Sequence, residues 1–83
     1  MSMRVRVRLF AALAEAAGFR EAIIELPSGA TAAAARDAVA ASYPALNGLC
    51  ARVALAVNAE YSEPDHLLTD GDEVALIPPV SGG

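Results

Sequence analysis

The chain has 83 residues, 55% of them hydrophobic and 19% charged, with a formal net charge of −4. This excludes a multidomain protein and a disordered one, and the acidic balance speaks against a nucleic-acid partner, which calls for a basic footprint. No apolar run approaches the roughly 18–20 residues that span a bilayer, no hydrophobic signal core opens the chain, and a single cysteine fits a reducing, cytoplasmic setting.

Met3 to Phe10 alternates cleanly, with Arg4, Arg6 and Arg8 on one face and Val5, Val7 and Leu9 on the other. Period two with β-branched residues predicts a half-buried strand, preceded by Met1-Ser2 as a short leader. Ala11 to Ala17 has helix-forming composition and stops at Gly18, which predicts a short connecting helix. Arg20 to Leu26 reads as a second strand with Ile24 and Leu26 inward, ended by Pro27-Ser28-Gly29.

Thr31 suits the N-cap of a helix over Ala32 to Ser42, because its hydroxyl accepts from exposed first-turn amides. Ala35, Ala38, Val39 and Ser42 form its inner stripe, and Pro44 ends it. Leu46 and Leu49 are expected to plug one end of the core. Arg52 to Asn58 is a third strand, apolar enough to be central. Leu67-Leu68 belong to a short edge element, Asp70-Gly71-Asp72 is a turn, and Glu73 to Ile77 is the last strand. Twenty alanines imply a core of many small contacts around few large side chains. The order ββαβ(β)β predicts an α+β domain over residues 1–77, a β-grasp roll of four or five strands around one main helix. Its first and last strands would lie side by side, parallel, in the middle of the sheet.

The chemistry concentrates in the tail, residues 78–83. Pro78 and Pro79 cannot donate to a sheet ladder, so the strand stops and the chain leaves extended. Val80 and Ser81 continue it, and six extended residues reach roughly 20 Å. Gly82 lacks a side chain and lets the end enter a narrow channel, where Gly83 presents an ionised α-carboxylate. A carboxylate is a poor electrophile until it becomes a mixed anhydride, usually with AMP. The chain has no glycine-rich phosphate cradle, so a partner would have to use the ATP.

The run Leu67-Leu68-Thr69-Asp70-Gly71-Asp72-Glu73-Val74-Ala75-Leu76-Ile77-Pro78-Pro79-Val80-Ser81-Gly82-Gly83 resembles the C-terminus of the molybdopterin synthase small-subunit family. Ala56-Val57-Asn58, Leu9-Phe10-Ala11, Leu13-Ala14-Glu15, Gly18 and Tyr43-Pro44-Ala45-Leu46 extend the resemblance over nearly the whole chain. It implies a ubiquitin-like sulfur carrier that is no enzyme on its own and binds no cofactor. An E1-like enzyme would adenylate Gly83, and a sulfurtransferase or persulfide donor would convert it to a thiocarboxylate. The tail would then enter the large synthase subunit, in a heterotetramer, and give sulfur to cyclic pyranopterin monophosphate for the dithiolene. Other carriers of the fold serve thiamine thiazole or cysteine synthesis, and others still are ubiquitin-like protein modifiers. A β-grasp binding module with an incidental Gly-Gly end is a further alternative. Unlike many members of the family, this chain has no lysine.

Other signals have plainer readings. Cys50 is expected to be a buried apolar residue rather than a functional thiol. His66, beside Asp65, Asp70, Asp72 and Glu73, has no second His or Cys at ligand spacing, and Asp-Gly-Asp is better explained as turn chemistry, so no metal site is expected. The Arg4, Arg6 and Arg8 stripe is expected to be balanced by Glu73 and by Glu21 or Glu25, with docking of an acidic partner patch as the functional alternative. Ala75 and Ile77 are expected to face outward as an apolar pair at the root of the tail.

Overall fold

A computed structural model describes residues 1–78 of the chain. In chain order the elements are β1 (Ser2–Leu9), α1 (Ala12–Ala17), β2 (Glu21–Pro27), α2 (Ala32–Ser42), β3 (Ala54–Val57), β4 (Glu60–Ser62) and β5 (Glu73–Ile77). Two 3-10 turns, Pro44–Leu46 and Leu49–Arg52, join α2 to β3. The five strands form one sheet in the order β2-β1-β5-β3-β4. β1 and β5 run parallel at its centre, with Val7 opposite Val74 and Leu9 opposite Leu76, and the remaining pairs are antiparallel. α2 packs across the inner face, giving the β-grasp arrangement.

The alternation read in β1 is realised residue by residue: Met3, Val5, Val7 and Leu9 are buried and the intervening residues exposed. Thr31 caps α2 as expected, its Oγ1 accepting from the Ala34 amide at 3.2 Å. α2 then buries Ala32, Ala35 and Val39. Small residues at the first two positions let the helix lie close to a sheet whose inner side chains are Val5, Val7, Val74 and Leu76. Leu13 and Leu46 are both fully buried where α1 meets the first 3-10 turn. The Phe19 and Tyr43 rings meet at 4.7 Å between centroids and tie the α1–β2 loop to the end of α2.

Six expectations are corrected. Ser2 is not part of a leader but the first residue of β1, opposite Pro27; β2 is an edge strand, where proline is tolerated. Ser42 is exposed, since α2 is ending there. Leu49 is 41% exposed and its neighbour Cys50, at 3%, takes the core position instead. Asn47-Gly48 separates the two 3-10 turns, so the phase set by Leu46 does not carry across. β3 starts at Ala54, because Arg52 is still within the second turn. The extra edge strand is Glu60–Ser62, while Leu67 forms only an isolated bridge to Thr31 and Leu68 turns into the core. Ala75, expected to be exposed, is buried at 8%, for a reason that belongs to the outer sheet face.

Candidate functional site

β5 carries the tail, so whatever fixes β5 fixes where the tail begins. Three hydrogen bonds to the β1 backbone, one of them from a side chain, tie the turn before it to β1. The Arg4 amide donates to Asp70 Oδ1 at 2.8 Å, Gly71 donates to the Arg4 carbonyl at 2.8 Å, and Arg6 donates to the Asp72 carbonyl at 2.9 Å. Gly71 has φ of 89°, a left-handed conformation that glycine adopts without steric penalty. Asp72 is the hub of this turn. It accepts from the Thr69 amide at 2.8 Å, the Thr69 hydroxyl at 3.1 Å and Asn58 Nδ2 at 3.0 Å. These bonds, the Thr69 amide first, hold its carboxyl below the usual carboxylate range. Asn58 also exchanges both of its remaining partners with Glu73: its amide donates to the Glu73 carbonyl at 2.8 Å, and its Oδ1 accepts from the Glu73 amide at 3.0 Å. A one-residue slip of β5 would invert every side chain leading to the tail, and these contacts forbid it.

On the outer face, one row across the sheet reads Glu21, Arg8, Ala75, Ala56, Tyr61. Ala75 lies on this face as its parity requires, yet its single methyl sits below the longer Arg8 side chain of β1 and beside the equally short, equally buried Ala56 of β3. That is why it is buried without belonging to the inner core. Ile77, opposite Ala54, is half-buried, as is Pro78 after it. The apolar pair therefore reduces to one protruding side chain, Ile77, above a floor of alanines. Pro79, Val80, Ser81, Gly82 and Gly83, the remainder of the expected site, lie outside the described residues.

The arginine stripe is paired along its length. Arg4 Nε meets Glu25 at 3.5 Å, Arg6 meets Glu21 at 2.8 Å and Glu73 at 3.9 Å, and Arg8 meets Glu73 at 3.5 Å. The Arg8 guanidinium also lies 5.5 Å from the centroid of the Phe10 ring. Phe10, 39% exposed, and Tyr61, 78% exposed, are outer-face aromatics that the sequence pattern did not single out. For Phe10 the signal was present: it shares the parity of Arg4, Arg6 and Arg8. Tyr61 was not readable, because three residues carry no period.

Cys50 is buried at 3%, and burial pushes its thiol up despite the nearby Arg36, so it is not poised as a nucleophile. The His66 side chain is exposed, and its carbonyl serves α2 by accepting from the Ala32 amide. Among the described residues no group of three or more His, Cys, Asp or Glu is placed to hold a metal ion, and no helix is long and apolar enough to cross a membrane. At the root of the tail the described residues present the end of β5, with Ile77 and Pro78 half-buried.

Residues 7–83 match the ThiS family. The chain is 41% identical, over 98% of its length and 100% of the relative's, to a molybdopterin synthase sulfur carrier subunit of Chlamydomonas reinhardtii. Among solved structures it is similar to small archaeal modifier protein 1 of Haloferax volcanii, with a TM-score of 0.86 and 34% identity, covering 96% of this chain and 99% of that one. It also resembles a chain in the complex of subunits 1 and 2 of the molybdopterin-converting factor from Helicobacter pylori. There the TM-score is 0.68 at 27% identity, covering 98% of this chain and 100% of that one.

Proposed function

The chain belongs to the ThiS family, and from that premise we propose that it is the sulfur-carrying small subunit of a molybdopterin synthase. One observation carries the reading: 41% identity, over nearly the whole of both chains, to a sulfur carrier subunit of that synthase, in a chain that runs from its central strand into Pro78-Pro79-Val80-Ser81-Gly82-Gly83. In this reading an E1-like enzyme uses ATP to adenylate Gly83, and a persulfide donor or sulfurtransferase replaces AMP with sulfur. The resulting thiocarboxylate enters the large subunit and donates its sulfur to cyclic pyranopterin monophosphate. The chain contributes position, since a tail seated in a pocket makes sulfur attack a local event. Gly82 contributes clearance beside the reacting carbonyl. The large subunit is the expected partner, as the Helicobacter pylori complex pairs subunit 1 with subunit 2.

The decisive measurement is intact mass after incubation with ATP, the E1-like enzyme and a sulfide source. One oxygen replaced by sulfur, lost on deletion of Gly83, is the expected result. An unchanged mass, with the enzyme active on a control carrier, would leave a binding module with an incidental tail. Gly82→Ala should lower sulfur transfer and leave thermal stability unchanged. The likeness to a small archaeal modifier favours one second reading, attachment to other proteins. Isopeptide-linked adducts in a lysate would identify it.

A further inference from the structure

The sheet has two edges of unequal length: β4 has 3 residues and β2 has 7. How β2 is bonded to β1 decides what its other side presents. The Leu9 amide donates to the Arg20 carbonyl at 2.8 Å, and the Ser28 amide donates to the Met1 carbonyl at 2.9 Å. In an antiparallel ladder the bonded pairs recur every second residue, so Ala22, Ile24 and Leu26 direct their N–H and C=O groups to Val7, Val5 and Met3. Glu21, Ile23 and Glu25 therefore turn theirs outward, a row of alternating donors and acceptors. Among the described residues no turn or loop backbone takes them. Pro27, which has no N–H, closes the row. Neither face is complete beside this edge. On the outer face Ile23 is 66% exposed between Glu21 and Glu25, whose side chains keep 49% and 64% of their exposure. On the inner face Ile24 packs against the core and yet is only half-buried, because no strand lies beyond it.

We propose that the β2 edge docks an extended segment of a partner protein in which cationic and apolar residues alternate. Main-chain bonds to Glu21, Ile23 and Glu25 supply the attachment, as in other strand additions. The side-chain pattern selects the occupant. On its bonded side β2 already pairs with a strand of this kind: Arg4 and Arg6 meet Glu25 and Glu21 outside, while Val5 and Val7 fill the inner face. An added strand meets the same rows from the opposite side. A cation opposite each glutamate places that carboxylate between two positive charges, and a β-branched residue on the inward side covers Ile24. A second copy of the chain is refused by the same pattern. Two β2 strands paired antiparallel about Ile23 bring Glu21 of each against Glu25 of the other, two like-charge pairs in one short ladder. Shifting the pairing by two residues sets each Ile23 against a glutamate instead. The edge is thus guarded against self-association and open to a basic strand.

The probe is an acetylated, amidated peptide with the sequence of Met3 to Leu9, added to the full chain and followed by backbone amide NMR and hydrogen exchange. Shifts should be confined to β2 and its flank. The amides of Glu21, Ile23 and Glu25, fast to exchange in the free chain, should slow by about tenfold or more at saturation. The same peptide N-methylated at its three arginines keeps every side chain and loses the donors that face β2, so its binding should fall by about tenfold or more. This control leaves the protein unaltered and needs no variant to fold. Changing Glu21→Gln and Glu25→Gln together should weaken the unmodified peptide by about fivefold at low salt, a gap that closes as salt is added. Shifts centred on Glu60, Glu63 and Asp65, or equal binding of the N-methylated peptide, would mean charge attraction without strand addition and overturn the proposal. No shift at millimolar peptide would overturn it as well. Sedimentation of the free chain as a dimer with its β2 amides already protected would give the edge to a second copy, against the charge argument.

Discussion

Asn58 Nδ2 donates to Asp72 Oδ1 at 3.0 Å, joining the turn between β3 and β4 to the turn that launches β5. Asn58 stands at φ 52°, a left-handed conformation that asparagine tolerates better than most residues. From there its amide reaches both Asp72 and the backbone of Glu73. The register of the strand that carries the tail is thus held from two sides, by β1 and by the β3–β4 turn.

This makes the fold acid-sensitive at one named carboxylate. The folded Asp72 ionises below its unfolded value of about 3.9, so as pH falls the unfolded chain takes up the proton first. The stabilisation is complete above that value and is lost as pH drops through the lower folded one. Asp72→Asn should destabilise by about 1 kcal/mol at pH 7, discounted for the exposure of the turn, and by progressively less below pH about 4. Urea unfolding of both proteins from pH 7 to 3 reads the difference. A gap that stays constant across that range would assign the effect to shape rather than charge.

Ala11 has φ 50° and ψ −125°, between the end of β1 and the start of α1, and the turn is closed by the Leu13 amide on the Phe10 carbonyl at 3.0 Å. A residue with a Cβ in such a region is strained by about 1–3 kcal/mol, whereas the added unfolded-state freedom of glycine costs about 0.4–1. The strain outweighs that entropy, so Ala11→Gly should raise stability by about 1 kcal/mol. For a domain of this size the melting temperature should rise about 4–8 °C. A lower melting temperature would refute the strain.

Much of this was legible in the sequence because it obeys a period or a cap. β1 alternates without exception, Thr31 precedes an uninterrupted helix, and Asp-Gly-Asp is turn chemistry. The remainder depends on neighbours that no local pattern contains. Glu60-Tyr61-Ser62 is too short to show alternation and becomes a strand only because β3 lies beside it. Ala75 has the parity of an exposed residue and the size of a buried one, and the strands on either side decide. Of the tail, the composition was readable and its placement is not among the described residues.

The exchange of Leu49 for Cys50 is open to a direct check. Leu49→Ser should change stability by less than about 0.5 kcal/mol, as expected for an exposed position. Cys50→Ser places a hydroxyl in a core where, among the described residues, no polar side chain is buried, and should cost about 1–3 kcal/mol. In the native protein Cys50 should react with a thiol reagent at the rate of unfolding, and faster only in denaturant. Rapid native modification would contradict its burial.

Every arginine of the stripe already has a carboxylate within 4 Å, and Glu73 serves two of them. Arg4 and Arg6 pair with Glu25 and Glu21 that keep about half or more of their exposure, and Glu73 keeps 29%, so each pair contributes about 1 kcal/mol or less. Because the stripe is neutralised in place, replacing Arg4, Arg6 and Arg8 with serine should alter the rate of association with the large subunit by less than about twofold at low salt. A drop of about tenfold, shrinking as salt is added, would instead make the stripe a docking face.

Ile77 is where the sheet face and the tail meet. It is the last residue of β5, half-buried, opposite Ala54, with the alanine floor on one side and Pro78 on the other. An aspartate there still fits the strand, because the position borders solvent, but it presents an unpaired charge to any apolar partner surface. Ile77→Asp should therefore leave the unfolding transition within about 1 kcal/mol of the parent and weaken large-subunit binding by about 10–100-fold, as loss of a central apolar anchor does. Ile77→Val, which keeps the contact and removes one methylene, should stay within about fivefold of the parent. Calorimetric titration of the large subunit with the three proteins gives the ordering. Equal affinities would move the interface off this corner of the sheet and leave the tail alone as the point of engagement.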